Sequence, residues 1–269
     1  MKNLIVILFT VQFLVVQGQS KKVVLNNPEK NSTKTQAFTF GEELEYRVHY
    51  GPFNAATVSM RIDKEPKLID GIKTWQIIGE GKTHSGYDWF FKVRDRYESF
   101  LALDSLKPIK YIRKVEEGGY KDYEVAKFDH AKGKVYSSKG VFELKDHMFQ
   151  DVLSAIYYMR NLDFSKMKKG DAIYIKFYLD KVLYSSKVTF AGREKITTDI
   201  GTFNTIILKP QVVVDRVFPN EDAMTIWATD DGNLIPLRVK TDLMVGSIKA
   251  DITKISGNKN PLDSKIKKK

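Results

Sequence analysis

The sequence predicts a mostly β protein: a large curved antiparallel sheet or open β-barrel-like fold with one central amphipathic helix. Three observations predict it. Many short segments alternate apolar and polar residues, the period of a half-buried strand. Clusters of Gly, Pro, Asn and Asp punctuate them at roughly 8–12 residue intervals, as in sandwiches and barrels. Only residues 146–164 carry a convincing 3.6-residue apolar period.

The first strand is expected within residues 38–50, where Leu44, Tyr46, Val48 and Tyr50 alternate with Glu43, Glu45, Arg47 and His49. Gly51-Pro52 punctuates before 55–62, and Asp70-Gly71 turns the chain into 74–78. Residues 79–89, GEGKTHSGYDW, read as a glycine-rich loop. Strands follow at 90–100 and, after Lys107-Pro108, at 109–115. Gly118-Gly119 leads into 120–128, Lys132-Gly133 into 134–137, and 141–144 approaches the helix.

In the helix, Met148, Val152, Ala155, Ile156 and Met159 share one face, which Phe149 and Leu153 widen. Asp146 and Asp151 are both suited to cap its start, and Arg160 suits the negative end of the helix dipole. Strands are then expected at 172–179, 183–190, 193–199, 203–208, 211–218, 223–229, 234–244 and 247–255. The turn Asp230-Asp231-Gly232-Asn233 joins two of them. One helix between two β halves must bury its apolar face against sheet.

The domain plan is a signal peptide at 1–18, a polar linker at 19–36, a single β domain at 37–258 and a basic tail at 259–269. Lys2 followed by the apolar run 4–16, with small Val16 and Gly18, has the form of a secretory signal. That run is shorter than the ~20 residues that span a bilayer, and no transmembrane span is expected in the mature chain. The absence of cysteine excludes disulfides, thiol nucleophiles and lipid attachment at a lipobox, so the expected exported protein is not a lipoprotein. The net charge of +11 is concentrated in the flanks, where Lys21, Lys22, Lys30 and Lys34 face only Glu29, and five lysines from Lys259 to Lys269 face only Asp263. The flanks therefore read as flexible tails, and no nucleic-acid partner is expected.

The chemistry-bearing residues form no established motif. His49, His84, His130 and His147 are the histidines, with no HxH or HExxH among them. His147 and Asp151 are helix neighbours, a pattern more often a cap beside an exposed histidine than a metal site. Glu116-Glu117 and Asp230-Asp231 fall in predicted turns, where solvated acids are ordinary. No catalytic residue, metal or cofactor is assigned. Tyr87, Trp89, Phe90 and Phe91 cluster beside His84 and Asp88, and Trp227 lies on a late strand. From them comes the candidate ligand site: His84, Tyr87, Asp88, Trp89 and Trp227 around a cavity for a hydrophobic or amphiphilic envelope molecule.

Five segments occur in order: FTFGEELEYRVHYG (38–51), YESFLALDSLKP (97–108), QDVLSAIYYMRN (150–161), GTFNTIILKP (201–210) and TIWATDDGNLIPLRVKTDLMVGSIKADI (225–252). Together they resemble the DUF3108 family of exported bacterial proteins, a family of unknown function. The resemblance implies an all-β protein of the periplasm or outer envelope of a Gram-negative bacterium, and carries over no catalytic residue. Asp104-Ser105-Leu106 also resembles, over three residues, an O-glycosylation site of Bacteroidetes-type exported proteins, and an ordinary turn before Pro108 is the favoured reading. The expected function is a non-catalytic binding or chaperone-like module for a lipid, glycan or envelope protein. The alternative is a hydrolase acting on an envelope polymer.

Overall fold

The computed structural model describes residues 36–144, 149–212 and 219–267. The signal peptide, nearly all of the linker, Asp146, His147, Met148 and residues 213–218 lie outside them.

The first half holds β1 (Glu43–Tyr50), β2 (Phe53–Ile62), β3 (Lys67–Ile69), β4 (Ile72–Thr83), β5 (Arg94–Ala102), β6 (Pro108–Glu117), β7 (Tyr120–Asp129), β8 (Lys134–Ser137) and β9 (Gly140–Glu143). A single helical turn, α1 (Asp88–Phe91), lies between β4 and β5. After β10 (Phe149–Asp151) comes the interior helix α2 (Val152–Arg160). Then follow β11 (Ala172–Leu179), β12 (Val182–Thr198), β13 (Gly201–Pro210), β14 (Met224–Thr229), β15 (Pro236–Asp242) and β16 (Ser247–Ser256).

All sixteen strands belong to one sheet. Its order runs β10 to β16, then β1, β2, β4 and onward to β9, with β3 appended to β4. Every pairing is antiparallel except β10 with β11. The sheet therefore has two edges, β10 and β9, and is strongly curved without being closed by hydrogen bonds. Alternation does what the sequence predicts: Leu44, Tyr46 and Val48 of β1 and Val58, Met60 and Ile62 of β2 are buried, with less buried residues between them. α2 packs against β4, β5, β10 and β11.

The helix is shorter than its apolar period. Phe149, Gln150 and Asp151 pair with Lys176, Phe177 and Tyr178, so the sheet takes the residues that would have begun it. Asp151 then caps α2, accepting from the backbone of Leu153 and Ser154 at 2.9 Å, while the Ser154 hydroxyl accepts from Asp151 N at 2.7 Å. This reciprocal cap decides between the two candidate aspartates. The helix is also less amphipathic in use than in sequence. Ser154 and Tyr157, off the predicted stripe, are as fully buried as Leu153 at its edge, because sheet lies on more than one side of the helix.

Three expectations are corrected. Residues 79–83 are strand, not loop: Gly79 pairs with Met60 and Tyr97, and Gly81 with Val58 and Asp95. Partners on both sides outweigh the poor strand propensity of glycine. The two strands expected at 183–190 and 193–199 are one, β12, with a register shift between Phe190 and Gly192. Gln211 and Val212, expected to open a strand, are not in one.

The basic stretch after Gly257 is held where a flexible tail was expected. Asn233 Nδ2 donates to the carbonyls of Asn260 and Pro261 at 3.0 Å, and Ser264 Oγ donates to Asp231 at 2.6 Å. Lys265 pairs with Phe203 of β13. Asp104–Leu106 is a turn in which the Leu106 amide donates to Ala102 O at 3.0 Å.

Candidate functional site

The hollow with the most consistent chemistry lies between α2 and the concave face of the sheet. Its volume is about 150 Å³. The helix wall is Val152, Ala155, Ile156 and Met159, four of the five residues of the predicted apolar stripe. Opposite stand Val58 and Met60 of β2, Ile175 and Phe177 of β11, and Val188 of β12. Met224 and Ile226 of β14, Val239 of β15 and Ala250 of β16 complete the apolar wall, with Pro210 and Pro236 at strand ends. The hollow exists where small side chains, Ala155 and Ala250, meet across a curved sheet that larger residues would fill.

Two polar groups touch this wall. The Tyr46 hydroxyl donates to Pro236 O at 3.0 Å, and the Ser186 hydroxyl reaches Gln211 O at 3.4 Å. Burial pushes the Tyr46 phenol well above its ordinary range, so it stays a neutral donor. The hollow is partly open, and an apolar space of this size accepts a group about as large as benzene. A few methylenes of an acyl chain or one ring fit; a whole lipid does not.

None of the five residues proposed from sequence lines this cavity. His84 lines a separate polar groove of about 800 Å³ across the central strands β16, β1, β2, β4, β5 and β6, together with Arg94, Arg96 and Asp95. Asp88 is a clamp: it accepts from Thr83 Oγ1 at 2.7 Å and from both Arg94 terminal nitrogens at 3.0 and 2.6 Å. Hydrogen bonds from Arg94 hold its carboxyl below the usual range. Tyr87 is more than one third exposed and Trp89 is 83% exposed. Trp227 is the neighbour of Ile226, which lines the cavity, and consecutive strand residues face opposite ways. The Trp227 indole N–H donates to Glu194 instead.

A second interior feature went unread in the sequence. Asp95 and Glu117, on adjacent strands, are both buried, each with a carboxylate oxygen that lacks a partner among the described residues, and each perturbs the other's titration. Burial raises both carboxyls; Asp95 pushes Glu117 up further, to about 8, whereas Glu117 and Arg113 pull Asp95 down against its burial. Arg113 lies close by, itself buried and paired with Asp122. Glu117 was expected in solvent because Gly118-Gly119 follows it, yet as the last residue of β6 it points inward. Among the described residues, no group of three or more His, Asp or Glu residues is arranged to hold a metal. No described helix is long and apolar enough to cross a membrane.

The fold has solved relatives. A β-barrel-like protein of the DUF1849 domain from Brucella abortus superposes with a TM-score of 0.54 at 11% identity, covering 82% of this chain and 98% of that one. A candidate lipoprotein from Parabacteroides distasonis gives 0.36 at 12% identity, covering 84% of this chain and 100% of that one. A candidate exported protein of YmcC-like fold from Bacteroides fragilis gives 0.31 at 11% identity, covering 81% and 97%. No curated protein matches the sequence. The model of the DUF3108 family, described as proteins of unknown function, matches residues 45–253, from β1 into β16. The chain belongs to the DUF3108 family.

Proposed function

We propose that this protein is an exported, non-catalytic binding module whose ligand is an apolar or amphiphilic molecule held by one short hydrophobic segment. The observation that carries the reading is the cavity between α2 and the sheet, apolar on every side except for Tyr46 and Ser186. Among the described residues, the wall of that cavity contains no carboxylate and no histidine, which favours binding over hydrolysis there. Export rests on Lys2 and the apolar run at 4–16. In the Gram-negative envelope, lipids and lipid-linked glycans offer ligand segments of this kind.

The test is native mass spectrometry of protein purified gently from its own envelope fraction, paired with displacement of a fluorescent fatty-acid probe. An apolar adduct, and probe binding abolished by Ala155→Leu, are expected. The added carbons fill the hollow at a cost of about 1–3 kcal/mol at most. A clean mass together with no probe binding overturns the reading.

A further inference from the structure

We propose that the end of the barrel bearing the β4–β5 connection is a docking rim for a lipid bilayer. The strand registers define that end. Tyr50 pairs with both Phe53 and Ile248, Ala56 with Thr83, Lys82 with Arg94, and Glu117 with Tyr120. The connections β15–β16, β1–β2, β4–β5 and β6–β7 therefore all emerge on one side. Their strands are consecutive in the sheet, so the four tips are neighbours along one curved edge. Each tip is two strands from the next, roughly 10 Å away.

Every one of these tips exposes a large apolar or aromatic side chain. Met244 and Val245 stand on the first, Phe53 on the second, Tyr87 and Trp89 on the third, and Tyr120 on the fourth. Val245 is 76% exposed, and Phe53, Met244 and Tyr120 are each more than half exposed. Over the same strands, the exposed large apolar residues at the opposite end are Leu68 and Ile72, confined to the single β3–β4 hairpin.

The charge pattern identifies the occupant. Within the connecting residues 51–52, 84–93, 118–119 and 243–246, the charged residues are Asp88 and Lys92. Both are engaged, Asp88 with Arg94 at 2.6 Å and Lys92 with Glu116 at 3.1 Å. These four tips, whose connecting residues hold no unpaired charge, carry Trp, two Tyr, Phe, Met and Val and match the boundary between headgroups and acyl chains, while the adjacent β13–β14 connection at this end brings Glu221 and Asp222. Separate tips on glycine turns suit a fluid surface, which needs no matching pockets. The cavity supports the same direction: Pro210 and Met224 of its wall sit at this end of β13 and β14. In this respect the docking rim extends the reading of the cavity as a seat for part of a lipid.

Flotation with vesicles tests it, using phosphatidylcholine alone and phosphatidylcholine with phosphatidylglycerol. The protein is expected to float with both, with little dependence on anionic lipid or salt, and Trp89→Ser with Val245→Ser is expected to reduce partitioning at least about tenfold. The melting temperature and the binding of the soluble fatty-acid probe, measured on the same variants, separate lost docking from lost folding. Failure of the wild-type protein to float, or equal flotation of the double variant, overturns the rim while leaving the cavity reading intact. Binding to native envelope membranes but not to protein-free vesicles also overturns it, in favour of a protein partner.

Discussion

Arg160 and Glu42, 118 positions apart, form a two-pronged ion pair at 2.6 and 2.7 Å, with both side chains out of solvent. The guanidinium also donates to Asn233 O at 3.0 Å and Ala37 O at 3.2 Å, and lies over the rings of Phe38 and Tyr157. The end of α2, the entry to β1 and the β14–β15 turn thus converge on one cation. Glu42→Ala strands that cation in the interior. A loss of about 3–5 kcal/mol is expected, read as a lowered urea midpoint. Replacing both partners with apolar residues should cost less than replacing Glu42 alone.

The Asp95–Glu117 pair gives the protein a predictable pH response. Both carboxyls are raised above their unfolded values near 4. Their contribution is therefore complete in mild acid and is lost as pH rises through the folded values. Asp151, pushed up to about 6 by burial, acts in the same direction. For these groups, stability is expected to fall from about pH 4, the unfolded value, to about pH 8, the folded value of Glu117. Glu117→Gln should flatten that fall, because its amide can donate to Asp95 at every pH. Melting curves across this range check it, and an unchanged slope in the variant counts against the assignment.

The C-terminal stretch is expected to be structural. Deleting residues 259–269 removes the partners of Asn233, which is fully buried, and of Asp231. Orphaned buried polar groups cost about 1–3 kcal/mol each. A clear drop in the denaturation midpoint is expected, whereas removal of a merely solvated tail would leave it unchanged.

Gly257 should tolerate no side chain. Its φ is +66°, and a Cβ there would strike the backbone carbonyl of Gly41, which has no rotamer to escape into. Gly257→Ala is expected to cost more than about 1 kcal/mol, measured by thermal melt. Gly51→Ala makes a useful comparison: its φ is also positive, but the added methyl meets open space.

The sheet was legible because alternation is local. Ile173, Ile175 and Phe177 declare one face of β11 without reference to any other strand, and the turn at 230–233 marks its own hairpin. The helix wall of the cavity was legible for the same reason, as the stripe Val152, Ala155, Ile156 and Met159. Its opposite wall was not, because nothing local says that Val58, Val188 and Ala250 converge. The aromatic cluster at 87–91 misled in a specific way. Trp89 belongs to a turn that the sheet pushes outward, so composition identified an interaction-prone segment but not which side of the wall it serves. Glu117 failed for the opposite reason: a Gly-Gly turn suggests solvent, whereas β6 extends to the turn and its pleat puts Glu117 on the buried face with Tyr111, Arg113 and Val115.

The strand order has a consequence for how the chain folds. Read from β10 to β9, the sheet follows chain order except that it begins in the middle, so its one distant seam is β16 against β1. Thr253 donates to Glu45 O across that seam from 208 positions away. Each half is a set of neighbouring hairpins with short loops to close, whereas the seam bears the largest loop-closure entropy. Gln36 and Asn260 already touch, the Asn260 amide donating to Gln36 O at 3.1 Å. A circular permutant that keeps the 259–267 stretch, joins its end to Gln36 through a short linker and opens between β9 and β10 would place nearly every strand beside its chain neighbour. It should fold faster than the natural order by virtue of its lower contact order.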